Sequence, residues 1–169
     1  MADAELDERA RVLLDLCRGK KLTIAAAESC TGGLVAATLT EIPGSSDVFE
    51  RGFVTYSNAA KEAMLGVPAS TLERFGAVSR ETVEAMAQGA LARSPAELAV
   101  SVTGIAGPGG ATPGKPVGLV HFAAAARGGR STHQECRFGD IGRAPVRRLS
   151  VLQALAMLQE LAEAEAPRR

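Results

Sequence analysis

LTIAAAESCTGGLVAATLT, Leu22 to Thr40, decides the fold. Leu22 to Ala27, LTIAAA, reads as a short buried strand. From about Cys30 to Thr40 the apolar residues return at helical spacing, and Pro43-Gly44 closes the segment. A buried strand turning directly into a helix is the building unit of an α/β domain. Upstream, Leu6, Ala10, Leu13, Leu14 and Cys17 recur at helical spacing, so residues from about 4 to 18 read as an amphipathic helix stopped by Gly19. Downstream, GFVTYS, Gly52 to Ser57, reads as a strand, with Asn58 capping the helix AAKEAML after it. Ser79 opens a helix that reaches about Arg93 before Pro95. Glu97 to Thr103 and Val117 to Ala126 read as strands, and Thr132 to Phe138 pairs back as a hairpin across Gly128-Gly129. The chain ends in a helix from about Ala144 to Ala164. The expectation is one domain over residues 1–169, a three-layer α/β/α sandwich whose sheet is mixed because of the C-terminal hairpin.

Composition narrows the partners. Of 169 residues, 46% are hydrophobic and 22% charged, ordinary globular usage. Nineteen basic and nineteen acidic side chains cancel, and no window approaches the roughly 18 consecutive apolar residues of a membrane span. Neither nucleic acid nor a membrane surface has an electrostatic argument here. The opening MADAELDERA lacks a basic segment followed by an apolar core, so no signal peptide is read and a cytoplasmic location is expected. Cys17, Cys30 and Cys136 are odd in number and widely spaced, and only His121 and His133 accompany them, so neither a disulfide framework nor a metal site is expected. The expected partner is a small molecule, with no metal and no cofactor, and a homo-oligomer is compatible with the sequence.

The chemistry concentrates in three stretches. ESCTGG, Glu28 to Gly33, lies where the buried strand becomes a helix, and two glycines in a first helical turn cost about 1 kcal/mol each relative to alanine. Close approach of a ligand or of another backbone compensates that cost, and free N–H groups at a helix start suit an anion or a developing oxyanion. Ser29 and Thr31 are either caps or chemical groups, while Cys30, flanked by apolar residues, reads as buried and inert. In GFVTYSNAAK, Gly52 to Lys61, the lysine falls on the first turn of a helix. There it is either solvated or, if burial places it against Ser29, deprotonated enough to act as a base. At the ordinary pKa near 10.4 only about one lysine in two thousand is neutral at pH 7, so burial is essential to that reading. Tyr56, the single tyrosine, is either a hydrogen-bond donor to the same site or the aromatic end of a strand. The third stretch, Thr103 to Gly118, carries six glycines and three prolines and offers backbone N–H groups to a phosphate or carboxylate. Gly109 to Lys115 formally fits the start of a P-loop, but Pro116 replaces the hydroxyl and a strand follows where a helix is required. No dinucleotide-binding glycine pattern is present. His121 reads as a sheet-face residue. Arg143, Arg147 and Arg148 open the last helix as surface charges or as a phosphate clamp.

ESCTGG, the run GSSDVFERGFVTYSNAAK from Gly44 to Lys61, LGV at Leu65 to Val67, GAVS at Gly76 to Ser79 and TGIAGPGG from Thr103 together resemble the CinA C-terminal domain family. The resemblance runs from about Leu13 to the last helix. It implies an α/β/α sandwich and, for the stand-alone form to which this chain is similar, hydrolysis of nicotinamide mononucleotide to nicotinate mononucleotide and ammonia in pyridine nucleotide salvage. It also implies that Ser29 and Lys61 are the catalytic pair, and that Ser46 and Tyr56 are similar to active-site residues. Arg143 corresponds to an arginine of a GDR-like segment, with Ile141-Gly142 intervening after Gly139-Asp140. Substrate contacts are expected from Thr31, Gly32 and Gly33, from Thr103, Gly104 and Gly107 in the glycine-rich loop, and from Arg143. A second reading stays open, in which the same loops bind a nucleotide in a regulatory or interaction module without turnover.

Overall fold

The computed structural model describes residues 2–169. Its elements run α1 (Ala4–Lys20), β1 (Ile24–Glu28), α2 (Leu34–Thr40), β2 (Phe49–Val54), α3 (Asn58–Leu65), α4 (Ala69–Phe75), α5 (Arg80–Ala92), β3 (Leu98–Gly104), β4 (Leu119–Ala126), β5 (Ser131–Arg137) and α6 (Arg143–Ala164), with a 3-10 turn at Ser45–Asp47. The strands form one sheet in the order β2-β1-β3-β4-β5. β2, β1 and β3 are parallel, and β4 and β5 join antiparallel. The expected mixed sheet and hairpin are both present.

Two cores flank the sheet, which makes the sandwich three-layered. Ile24 and Ala26 of β1, Val100 and Val102 of β3 and Phe122 of β4 pack with α1, α2 and α6. Ala25, Ala27, Ala99, Ala123 and Ala125 point the other way, against α3, α4 and α5. Every residue of β1 is buried, because both faces of a central parallel strand are covered by helices.

Several boundaries differ from the sequence reading: the strand expected at Gly52 to Ser57 is found at Phe49–Val54, and the one expected from Val117 starts at Leu119. The strand expected at 22–27 is shifted to include Glu28, which stays in register with Val54 and Val102. The helix expected from about Cys30 starts only at Leu34, because Gly32 (φ +56°) and Gly33 (φ +103°) are left-handed and cannot belong to an α-helix. Ser57, and not Asn58, caps α3, its hydroxyl accepting the Ala60 N–H at 3.0 Å. The short helix α4 was not read at all. Its sequence, ASTLERF, presents only one buried side chain, Leu72, too little for a periodic pattern.

Helix α3, which matters most below, rests on α5 through a glycine. A Cβ at Gly89 would overlap the carbonyl oxygen of Leu65 at the end of α3. Gly89→Ala is therefore expected to lower unfolding free energy by about 1–3 kcal/mol, the usual cost of forcing extra volume into a packed contact. A denaturant titration with unchanged slope and a lower midpoint checks it.

Candidate active site

The site is assembled at the C-terminal end of β1. Ser29 is the first residue beyond that strand, and its N–H donates to Val102 O at 3.0 Å, continuing the ladder with β3. On the neighbouring strand the Thr55 N–H donates to Glu28 O at 2.8 Å, and the chain then turns into α3. Lys61 lies in the first turn of α3, capped by Ser57, and points back under the sheet edge. Its side chain is 1% exposed. Lys61 Nζ lies 3.0 Å from Ser29 Oγ and donates to the Thr55 carbonyl at 2.8 Å. No carboxylate bonds to it among the described residues. Burial, opposed only by Cys30, lowers the Lys61 pKa from the usual lysine value. A neutral amine fits these partners, with one N–H on Thr55 O and its lone pair facing the Ser29 hydroxyl.

Ser29 and Cys30 diverge. Glu28 and Cys30 face the core built with α1, α2 and α6, while Ser29 turns toward α3. The Cys30 thiol is buried and its pKa is pushed up to about 12 by desolvation, which keeps it protonated and unreactive.

The turn itself corrects one expectation. The sequence leads one to expect the N–H groups at the start of α2 to be open to a ligand. They are filled instead by Glu28, whose buried carboxylate accepts from Val35 N at 2.8 Å and Ala36 N at 3.1 Å. Within the turn, the Gly32 N–H donates to Ser29 O at 3.0 Å. Among the described residues, the N–H groups of Cys30, Thr31 and Gly33 have no acceptor elsewhere in the backbone. Glu28 was not singled out from sequence, although a glutamate closing an alanine strand was the available signal.

The remaining residues expected at the site fall into two groups. Arg143 donates to Tyr56 Oη at 3.0 Å and to Gly107 O at 2.9 Å, so one guanidinium ties the β2–α3 link to the glycine-rich loop. Tyr56 is 62% exposed, and its side chain stands at the mouth rather than among the buried groups. Arg147 donates to the carbonyls of Cys30 and Thr31 at 3.1 and 3.2 Å, whereas Arg148 pairs with Asp3 and Glu5 away from the turn. Thr103 is buried, and its hydroxyl donates to Ala77 O at 2.8 Å. Gly104 lies within the β3–β4 ladder opposite Val120. Thr31 is completely buried, and its hydroxyl has no hydrogen-bond partner among the described residues. Ser46 is not brought to this end within the chain. It sits exposed on the 3-10 turn before β2, beside the N-terminal ends of the strands. His121 pairs with His133 across β4 and β5 at 2.9 Å, as a sheet-face residue. Among the described residues no group of three or more His, Cys, Asp or Glu is arranged to hold a metal, and no helix is long and apolar enough to cross a membrane.

The sequence profile of the CinA C-terminal domain matches residues 6–162. The chain belongs to the CinA C-terminal domain family. It is 50% identical over 159 residues to the nicotinamide-nucleotide amidohydrolase PncC of Escherichia coli K12, which covers 94% of this chain and 95% of that protein. It is 56% identical over 125 residues to a CinA-like protein of Chlorobium phaeovibrioides, covering 73% of this chain but 29% of that protein. The chain thus spans about a third of the length of the CinA-like proteins it matches, 29% to 37% of each. The crystal structure of the competence/damage inducible protein CihA from Agrobacterium tumefaciens superposes with a TM-score of 0.93 at 55% identity, covering 95% of this chain and 98% of that one.

Two stability measurements test this reading of the CinA domain turn. Thr31→Val replaces a buried, unpartnered hydroxyl by a methyl of similar shape, and is expected to raise unfolding free energy by about 1 kcal/mol. The second concerns Lys61. Its folded pKa lies below its unfolded value, so within that window the unfolded chain binds one proton more and this group's contribution to stability rises with pH. Lys61→Met removes the penalty of burying an ammonium. Its stability relative to the parent chain is therefore expected to be highest below the lowered pKa and to fall steadily as pH rises toward about 10.4. Parallel denaturant titrations of both proteins across that range read the difference.

Proposed function

We propose that this CinA C-terminal domain is an amidohydrolase that converts nicotinamide mononucleotide and water into nicotinate mononucleotide and ammonia. The observation that carries this reading is the buried Lys61 amine 3.0 Å from Ser29 Oγ. A hydroxyl is a weak nucleophile until a base within hydrogen-bond reach takes its proton, and desolvation keeps Lys61 available for that task. The 50% identity to a protein named as an amidohydrolase over nearly the full length of both supports the same chemistry.

In this mechanism Ser29 Oγ attacks the carboxamide carbon while its proton passes to Lys61. The tetrahedral oxyanion lies against the unengaged N–H groups of the turn, those of Cys30, Thr31 and Gly33, since that of Gly32 and those opening α2 are already bonded within the fold. The Lys61 ammonium then protonates the departing amine, and ammonia leaves an acyl ester on Ser29. Lys61, neutral again, takes a proton from water as the water adds to the ester; when the acyl C–O bond breaks, Lys61 returns that proton to Ser29 Oγ and the acid product ionises to the carboxylate. Arg143 is suited to the substrate phosphate. Its guanidinium reaches only a hydroxyl and a carbonyl, forms no ion pair among the described residues, and so keeps its charge for an incoming anion.

Ammonia release from nicotinamide mononucleotide tests the proposal. Ser29→Ala and Lys61→Met are each expected to lower kcat by at least about a thousandfold, whereas Cys30→Ala leaves it within a few-fold. Because the base form of Lys61 is the working one, kcat/KM is expected to rise with pH and to level off below the ordinary lysine value of about 10.4. Free nicotinamide and its riboside are expected to be far poorer substrates, and Arg143→Met to erase most of the mononucleotide's advantage. Tight binding of the mononucleotide without ammonia release would instead support a binding module.

A further inference from the structure

The last helix sends one side chain, Arg147, back to the turn that carries the proposed nucleophile. Its guanidinium is half-buried and touches no carboxylate among the described residues. Its Nε and Nη2 atoms donate instead to two consecutive carbonyls, Cys30 O at 3.1 Å and Thr31 O at 3.2 Å. A peptide unit is planar, and in the trans form its C=O and N–H point in opposite directions. All peptide bonds of this turn are trans. Drawing the two carbonyls toward one guanidinium therefore drives the N–H groups of Thr31 and Gly32 away from it, together. Where that direction leads is visible at Gly32, whose N–H lands on the Ser29 carbonyl at 3.0 Å. The adjoining Thr31 N–H, held in the same sense, is left without a backbone acceptor.

We infer that Arg147 is a positioning residue that pre-aligns the Thr31 N–H as an oxyanion donor. The inference rests on the Ser29–Lys61 amidase reading. Two further observations agree with it. Gly32 adopts φ +56°, and a Cβ there would come within 3.3 Å of Arg147 Nη2, so the glycine leaves room for the arginine to reach past it. Both carbonyls also face a cation, that of Thr31 while accepting the Leu34 N–H at 3.0 Å as well, and the cation polarises each peptide and makes its N–H a stronger donor. Arg147 touches neither nucleophile nor base. Its effect is on how well the developing negative charge is met, an interaction made in the transition state and weak in the ground state.

The test compares Arg147→Met, Arg147→Lys and Arg147→Ala with the parent chain, using nicotinamide mononucleotide and reading kcat, KM, the pH profile and the thermal midpoint. Loss of an aligned donor is expected to lower kcat about tenfold to a hundredfold while KM stays within about twofold and the pH dependence set by Lys61 is unmoved. Lysine, which cannot bridge two carbonyls as a planar fork does, is expected to recover only part of the rate. Added guanidinium chloride at millimolar concentration is expected to raise the rate of Arg147→Ala but not of Ser29→Ala. Unchanged kcat in the folded variants, or a kcat loss matched by a risen KM and not rescued by guanidinium, overturns the assignment. A parent chain that releases no ammonia overturns the amidase reading first, an outcome distinct from either.

Discussion

A primary amine buried without a countercharge constrains everything around it. Removing an ammonium from water costs several kcal/mol even after relaxation, and the usual remedy is a carboxylate close by. Lys61 has none. The fold gives it instead a backbone carbonyl and a hydroxyl, partners that satisfy an uncharged amine. Supplying them fixes the local architecture. Thr55 must present its carbonyl inward, which its N–H bond to Glu28 O ensures, and α3 must begin within one turn of the strand end, which the Ser57 cap ensures.

The same strand end settles the electrostatics of the turn. A helix start beside a glycine pair invites the idea of an anion site, yet here the invitation is already accepted by Glu28. Its two oxygens meet two N–H groups, so the negative charge is internal and α2 has none of its leading donors to offer. Positive potential for a substrate must then come from side chains. Two arginines at the head of α6 occupy the two places concerned, Arg143 at the mouth against Tyr56 and Gly107, and Arg147 behind the turn.

Much of this was legible in the sequence. The layers followed from an apolar strand flanked by helical periodicities, and Lys61 could be weighed because only burial against Ser29 would make it a base. What could not be read were effects arising from tertiary contact. Helix α2 begins late because two glycines are left-handed, and whether a glycine serves flexibility, packing or handedness is a property of its neighbours. Glu28 looks like a strand residue from its local context, and its partners lie seven and eight residues on. Arg147 and Arg148 are adjacent and chemically identical, yet one holds the turn after β1 while the other pairs with Asp3 and Glu5. Ser46 carries a motif match, but the parallel crossover leaves it at the opposite end of the strands from Ser29.

The alanines of β1 have a consequence for how such a sequence diverges. Ala25 and Ala27 meet the layer that contains α3 and α5, and Ala26 meets the opposite one. Small side chains on both faces let the helices lie close to the sheet, and that closeness is what allows a lysine rooted in α3 to reach a serine rooted in the strand. A larger residue at 25 or 27 lifts one layer relative to the other, so the distance between Lys61 and Ser29 is written into positions other than theirs. A substitution that adds bulk on this strand is consequently accommodated only when matching bulk is removed from the facing helix.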